Sequence, residues 1–285
     1  MEGIVTLLEA NRPTVETGDG TRYLCYLKGR IKRDVGRIMV GDHVVFEATD
    51  PGEGRIEEVL ARTNQLIRPA VANVEGLFVI FSVAEPLASL ELLDKRLVVA
   101  RLMGLQVELV LSKVDRVDRE SSVVLMEKAY RTAGYPVWRV ATPLGQGIDA
   151  IVSKARVGIW VMTGDSGVGK STLLNAIVPF QSAQTQELSR IGRGQQTTRW
   201  VHLYRLKGYW LADTPGYTAL DVTMPSVRHI QWAFPEFTAF TCRFANCLHG
   251  QEPGCEVVKA RDRNELAAWR YDHYRKLLSQ WVKTY

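Results

Sequence analysis

The chain has 285 residues, 46% of them hydrophobic and 24% charged, with a formal net charge of +5. That length buries a substantial core and is long for one domain, while the basic balance favours a polyanionic partner. No apolar stretch approaches the roughly 18 residues of a membrane span. Met1-Glu2-Gly3-Ile4 lacks the basic and apolar regions of a signal peptide, so a cytoplasmic protein is expected.

Residues 1 to about 65 read as all-β. Ile4 to Leu7, Arg22 to Leu27 and Asp42 to Phe46 are short strands split by Gly, Asp and Asn turns. Five or so such strands suit an SH3-like or OB barrel. Cys25 falls in the second of these strands and reads as a small core residue. Lys28, Arg30, Lys32, Arg33 and Arg37 cluster in one loop-strand region with tyrosines nearby. That pattern reads as an RNA-binding surface, the plainer alternative being a solvated face.

From Val74 onward apolar strands alternate with amphipathic helices, the α/β signature. Strands are expected over 76–81, 105–111, 135–138, 159–163 and 209–212. Helices are expected over 90–103, 123–133, 148–156, 170–178, 227–234 and about 264–283. In the last of these, Leu266, Trp269, His273, Leu277 and Trp281 recur at helical spacing and read as the buried face. Arg270, Arg275, Lys276 and Lys283 read as its basic outer face.

The strand 159–163, the turn Gly164-Asp165-Ser166-Gly167-Val168-Gly169-Lys170-Ser171 and the helix behind it make a phosphate loop in its required setting. The glycines let backbone N–H groups turn toward phosphate oxygens. Lys170 would reach the β/γ oxygens, and the Ser171 hydroxyl would ligate Mg²⁺, with Thr172 following in the helix's first turn. Asp213-Thr214-Pro215-Gly216 follows a second apolar strand as a DxxG turn: Asp213 would hold Mg²⁺ through water, and the Gly216 N–H would sense the γ-phosphate. Between them, residues 192–199 occupy the switch I position, where Thr197 or Thr198 is the natural Mg²⁺/γ-phosphate ligand. Ser112-Lys113-Val114-Asp115 ends a strand and matches the [NTS]KxD element, whose aspartate accepts from guanine N1–H and N2–H₂. Adenine lacks those donors, so the pattern reads GTP over ATP. Val140-Ala141-Thr142 is a degenerate match to the loop that backs the base. The order is rotated: the base reader precedes the phosphate loop, as in a circularly permuted GTPase. Chain ends that lie close together allow that rearrangement.

Three of the four cysteines fall in Cys242-x4-Cys247-x-His249-x5-Cys255. Three thiolates and an imidazole make a closed tetrahedral site, the structural form of zinc. Reduced cytoplasmic thiols favour metal over disulfides.

The barrel, the rotated motifs and the Cys/His spacing together resemble the RsgA (YjeQ/YloQ) family over essentially the whole chain. The resemblance implies an OB-type β-barrel over 1–65, a circularly permuted P-loop GTPase domain over 70–222 and a helical zinc domain over 223–285. It implies GTP binding by Gly164 to Thr172 and by Ser112 to Asp115, and zinc binding by Cys242, Cys247, His249 and Cys255. It further implies a monomeric GTPase that binds the small ribosomal subunit and its 16S rRNA late in maturation and hydrolyses GTP there. One departure matters. The family typically carries a basic residue and a histidine before the paired threonines, where this chain has Gln195-Gln196, so Gln196 becomes the candidate for positioning water. The competing readings are a GTP-gated RNA-binding module with incidental hydrolysis, and a P-loop ATPase or kinase, which Asp115 disfavours.

Overall fold

The computed structural model describes residues 1–9, 12–28, 37–117, 120–178, 201–213 and 227–282. Its first half runs β1 (Glu2–Glu9), β2 (Arg12–Glu16), β3 (Arg22–Leu27), β4 (His43–Asp50), β5 (Glu53–Val59), the short β6 (Gln65–Leu66) and β7 (Val71–Ala72), then β8 (Val74–Ser82), α1 (Leu90–Leu102), β9 (Gln106–Ser112), α2 (Glu120–Thr132) and β10 (Val137–Val140). It continues through α3 (Ile148–Ser153), β11 (Ile159–Thr163), α4 (Lys170–Ile177), β12 (His202–Arg205), β13 (Trp210–Asp213), α5 (Val227–Trp232), α6 (Glu256–Asp262) and α7 (Ala268–Val282). These elements form two compact units, Met1–Phe78 with Ile148–Leu220, and Val79–Gly147 with Asp221–Tyr285.

In the first unit five strands close on themselves. β1 pairs antiparallel with β2 and β4, β2 with β3, and β4 with β5, while β3 and β5 run parallel and complete the ring. This is the OB-type barrel. Alternation along the strands turns Val15, Cys25, Val44, Phe46 and Ile56 inward, each essentially without solvent contact. Gly54 is small because a Cβ there would meet the Phe46 ring at 2.9 Å and the Cys25 sulfur at 3.0 Å. Burial pushes the Cys25 thiol up to about 11, in keeping with a core residue and no reactive role.

The same unit holds β11, parallel to β13, and β12, antiparallel to β13. β12 also pairs antiparallel with β1 of the barrel, His202 opposite Leu7. Beside that pairing the Arg205 guanidinium donates to the Gly18 carbonyl at 2.5 Å and lies 3.3 Å from the carboxylate of Glu16. Glu16 is buried and is also held by Arg22 at 2.9 Å. Arg156 is buried among three rings, its guanidinium carbon 4.9 Å from the Phe78 centroid and 5.5 Å from those of Trp160 and Tyr209.

In the second unit β9 and β10 run parallel, with the closing residues of β8 beside β9. The helices bury a charge network. Asp94 of α1 accepts from the Tyr130 hydroxyl at 2.9 Å, from Arg270 of α7, and lies 2.6 Å from His273 Nδ1. Arg270 also donates to Glu236 at 2.7 Å. Asp94 is 0% and Arg270 1% exposed. This corrects the expectation for the closing helix: Arg270 lies inside, and the buried face is Arg270, Tyr271, Tyr274, Leu277 and Leu278. Trp269 and His273 sit half-buried at its margin. Pattern reading places an arginine outside by default, but two acidic partners reverse that cost. The helix also starts four residues late, at Ala268. Asn264, at φ +58°, and the bond from Glu265 N–H to the Ala260 carbonyl close α6 instead. Among the described residues no helix is long and apolar enough to cross a membrane.

Candidate functional site

The glycine-rich turn after β11 lies in the first unit. β11 and β13 are parallel with Val161 opposite Ala212, so Thr163 and Asp213 end their strands at neighbouring positions on the same edge. Ligands of open α/β sheets bind at that carboxyl edge. After Thr163 the backbone turns through Gly167 at φ +77° and Gly169 at φ +98°. Gly169 caps α4 in a left-handed conformation with nothing within 4 Å of where a Cβ would stand, so the requirement there is backbone freedom and not space. Its carbonyl accepts the first helical bond, from Leu173 N–H at 2.9 Å. The N–H groups ahead of Leu173 point out of the helix end, where the helix dipole favours an anion.

Lys170 folds back over this loop, its ammonium donating to the carbonyls of Gly164 at 2.9 Å and Asp165 at 2.6 Å. The cation is thereby held inside the curve of the loop. Val168 anchors the turn in the core, while Ser166, Gly167, Ser171 and Thr172 are exposed. Burial pushes the Asp213 carboxyl above the usual carboxylate range. A divalent cation at that position would oppose the shift.

The Ser112–Asp115 segment lies in the second unit. In the parallel β9–β10 pair Ser112 stands opposite Val140, so the segments 113–115 and 141–144 leave the sheet at one level. Ser112 donates to the Phe81 carbonyl at 3.3 Å. Lys113 takes a left-handed conformation, φ +60°, and its ammonium donates to the Glu85 carbonyl at 2.8 Å. That single left-handed residue turns the chain into the 3₁₀ turn Val114–Arg116, which carries Asp115. The Asp115 side chain is 16% exposed and lies 3.9 Å from the Arg116 guanidinium. Ala141 is fully buried and is bonded both ways to Gln146, which fixes the partner loop.

The cluster Cys242, Cys247, His249 and Cys255 converges, with all four ligand atoms within 4.8 Å of one another. Cys242 Sγ lies 3.8 Å from Cys255 Sγ, and His249 Nδ1 lies 3.5 and 3.6 Å from those two sulfurs. A tetrahedron with Zn–S near 2.3 Å and Zn–N near 2.05 Å has S–S edges of about 3.8 Å and S–N edges of about 3.5 Å. The donor set and the spacing therefore fit zinc, with His249 presenting Nδ1. Burial pushes the Cys247 thiol up to about 12 and lowers His249, so loading a metal must displace thiol protons.

Sequence reasoning missed the groups that hold this loop. The Tyr271 hydroxyl lies 2.8 Å from the carbonyls of both His249 and Gly250, and the Tyr274 hydroxyl donates to the Leu248 carbonyl at 2.5 Å. Glu252 accepts from the N–H groups of Leu248 and Gly250 at 3.0 and 2.6 Å. Such groups orient ligands. The two tyrosines, three apart on α7, were the available signal.

Of the barrel's basic cluster, Lys28 is described and forms an ion pair with Glu57, while Arg30, Lys32 and Arg33 lie outside the described residues. So do Gln196, Thr197, Thr198 and Gly216.

A sequence model described as RsgA GTPase matches residues 59–223. The protein named small ribosomal subunit biogenesis GTPase RsgA from Geobacillus thermodenitrificans is 38% identical over 267 residues, covering 92% of this chain and 91% of its own. The protein of that name from Bacillus subtilis is 35% identical over 262 residues, covering 90% and 88%. Among solved structures, YjeQ from Thermotoga maritima matches at TM-score 0.83 and 33% identity, covering 99% of this chain and 98% of that one. YloQ, described as a circularly permuted GTPase, matches at TM-score 0.79 and 29% identity, covering 100% and 96%.

Proposed function

This chain belongs to the RsgA GTPase family, and on that premise we propose that it hydrolyses GTP while bound to the small ribosomal subunit, assisting late maturation of that particle in the cytoplasm. The observation that carries the reading is a relative named for small-subunit biogenesis at 38% identity over 92% of this chain. The phosphate loop and the Ser112–Asp115 segment, each at the carboxyl edge of its own parallel strands, support it.

In this reading the N–H groups of 164–172 and the Lys170 ammonium take the β- and γ-phosphates. Lys170 exchanges its loop carbonyls for phosphate oxygens, so the ligand replaces contacts already made. Ser171 and Asp213 would hold the Mg²⁺ that accompanies GTP, which supplies neutralisation of charge on the β and γ oxygens. Asp115 accepts from the guanine N1–H and N2–H₂. Gln196 orients the attacking water beside Thr197 or Thr198, and the Gly216 N–H reads the γ-phosphate. Tyr217 stands where Ras-like enzymes carry their glutamine, so unassisted turnover is slow. The zinc held by Cys242, Cys247, His249 and Cys255 is structural, because protein fills all four positions. Lys28 with Arg30, Lys32 and Arg33 would contact 16S rRNA, phosphate replacing Glu57 at Lys28. We assign the barrel to 1–65, the GTPase domain to 70–222 and the zinc domain to 223–285, in a monomer.

Turnover of GTP with and without purified small subunits tests this. Alone, the protein should run near the roughly 10⁻⁴–10⁻³ s⁻¹ of unassisted GTPases, and small subunits should raise that at least about tenfold. Unchanged turnover would favour a GTP-gated binding module instead. Asp115→Asn should weaken GTP binding by about 2 kcal/mol or more, with partial recovery on xanthine nucleotides. Equal GTP affinity in that variant would move base reading to another residue.

A further inference from the structure

The loop between the first two cluster ligands, Arg243-Phe244-Ala245-Asn246, lies at the surface while Cys242 and Cys247 at its ends turn inward. Phe244 is 44% exposed, a large ring kept in water at a position fixed on both sides. The fixing is explicit. Cys247 N–H donates to the Phe244 carbonyl at 3.1 Å, and Arg243 N–H donates to the Gly254 carbonyl at 3.3 Å. The Arg243 stem lies against Gly254, where an added Cβ would sit 3.1 Å from Arg243 Cβ. Its guanidinium carbon is 5.5 Å from the Phe244 centroid.

Among the described residues, the cation beside that ring lacks the acidic partner that several of its neighbours have. On the same unit Lys259 is paired with Glu256, Arg261 with Asp262, and Arg263 with Glu265. Arg243 has no carboxylate within ion-pair reach among the described residues; its guanidinium faces the ring instead. A rigidly held aromatic with an adjacent cation that no acid neutralises suits a ligand having a flat π surface next to a negative charge. A nucleotide in a single-stranded segment has both, since unpaired bases stack on aromatic side chains and arginine planes. A protein partner would be expected to meet a broader apolar surface than one ring.

We propose that Arg243 and Phe244 form a stacking platform for one unpaired base of the small-subunit rRNA, Phe244 offering its ring to the base and Arg243 its charge to the neighbouring phosphate. The assignment rests on the small-subunit reading above. It makes the Cys/His cluster the rigid mount of an RNA contact.

The test is equilibrium binding of the GTP-loaded full chain to purified small subunits, with zinc content and GTP affinity measured in parallel to report folding. Phe244→Ala should weaken subunit binding by about five- to hundredfold, the range for losing one stacked base. Phe244→Trp should retain affinity, and Phe244→Leu should be as weak as Phe244→Ala because it keeps the bulk and loses the π face. Arg243→Gln should lower the slope of log affinity against log salt by about one. If Phe244→Leu binds as the parent does, the ring touches an apolar protein surface and the proposal is overturned. Equal affinity in the parent and in Phe244→Ala overturns it while leaving the subunit reading intact. A parent chain that does not bind small subunits overturns both.

Discussion

The barrel and the Cys/His end of the chain reach a fixed structure by opposite routes. The barrel closes through backbone ladders, a ring of five strands in which each is bonded to two others, and its surface charges are exposed pairs such as Lys28 with Glu57 and Arg55 with Glu47. The segment from Pro235 to Asp262 has one short α-helix and a 3₁₀ turn. Side chains hold it: four metal-ligand candidates, Tyr271 and Tyr274 on loop carbonyls, and the buried Asp94–Arg270–Glu236 set. Backbone ladders spread stability over many residues, whereas a closed set of side chains concentrates it in a few. A single substitution should therefore matter far more at the second end than at the first.

Cys247→Ser tests the extreme of that contrast. Structural zinc contributes about 10–16 kcal/mol in small zinc domains, so loss of one ligand should melt the C-terminal region. Proteolysis should cut first within 235–262, while the barrel's strands stay protected from hydrogen exchange. Freshly purified parent protein without one equivalent of zinc would remove the basis for the contrast. Arg270→Met comes next. It leaves Asp94 and Glu236 buried without their cation, which costs about 3–5 kcal/mol. Burial already raises the Glu236 carboxyl and loss of Arg270 raises it further, so this loss should be greatest near neutral pH and shrink as acid protonates Glu236. Urea denaturation from pH 5 to 8 reads both effects, and a loss independent of pH would mean the arginine acts through packing alone.

The first unit should yield smaller numbers. His202, packed 4.4 Å from the Tyr204 ring, is pushed down to about 4 by burial and by Arg22. The unfolded chain then binds a proton between about pH 6.5 and 4 that the folded chain refuses. Stability from this group is complete above about pH 6.5 and falls as pH drops toward 4, by on the order of 3 kcal/mol. His202→Asn should flatten that part of the profile; parent and variant curves that stay parallel would refute the assignment. Lys28→Ala should change stability by less than about 1 kcal/mol, as exposed ion pairs do. A larger loss would break the contrast itself, because a barrel side chain would then carry what belongs to the ladders.

What could be read before the structure follows the same division. The phosphate loop, Ser112 to Asp115 and the Cys/His spacing were legible because each sets its chemistry within a few consecutive residues. Three of the barrel's strands, β1, β3 and β4, were legible from alternation, whereas β2 and β5 were expected only as part of a rough count. Arg270 was not: its burial depends on Asp94 and Glu236, which are distant in sequence, and helical periodicity alone places it in water. Asn264 was read inside a helix because one left-handed residue leaves little trace in an amphipathic pattern. Nor could any local signal show that β12 would pair with β1, since Leu7 and His202 meet only in the folded unit.

That last pairing bears on where the chain can be cut. A fragment ending near residue 65 would keep all five barrel strands, yet it would lose β12 from the β1 edge and Arg205 from the buried Glu16. It would carry a bare strand edge, the kind of surface that recruits other chains. The barrel is thus less a detachable module than a part whose outer seam is sewn by residues from the far side of the phosphate loop.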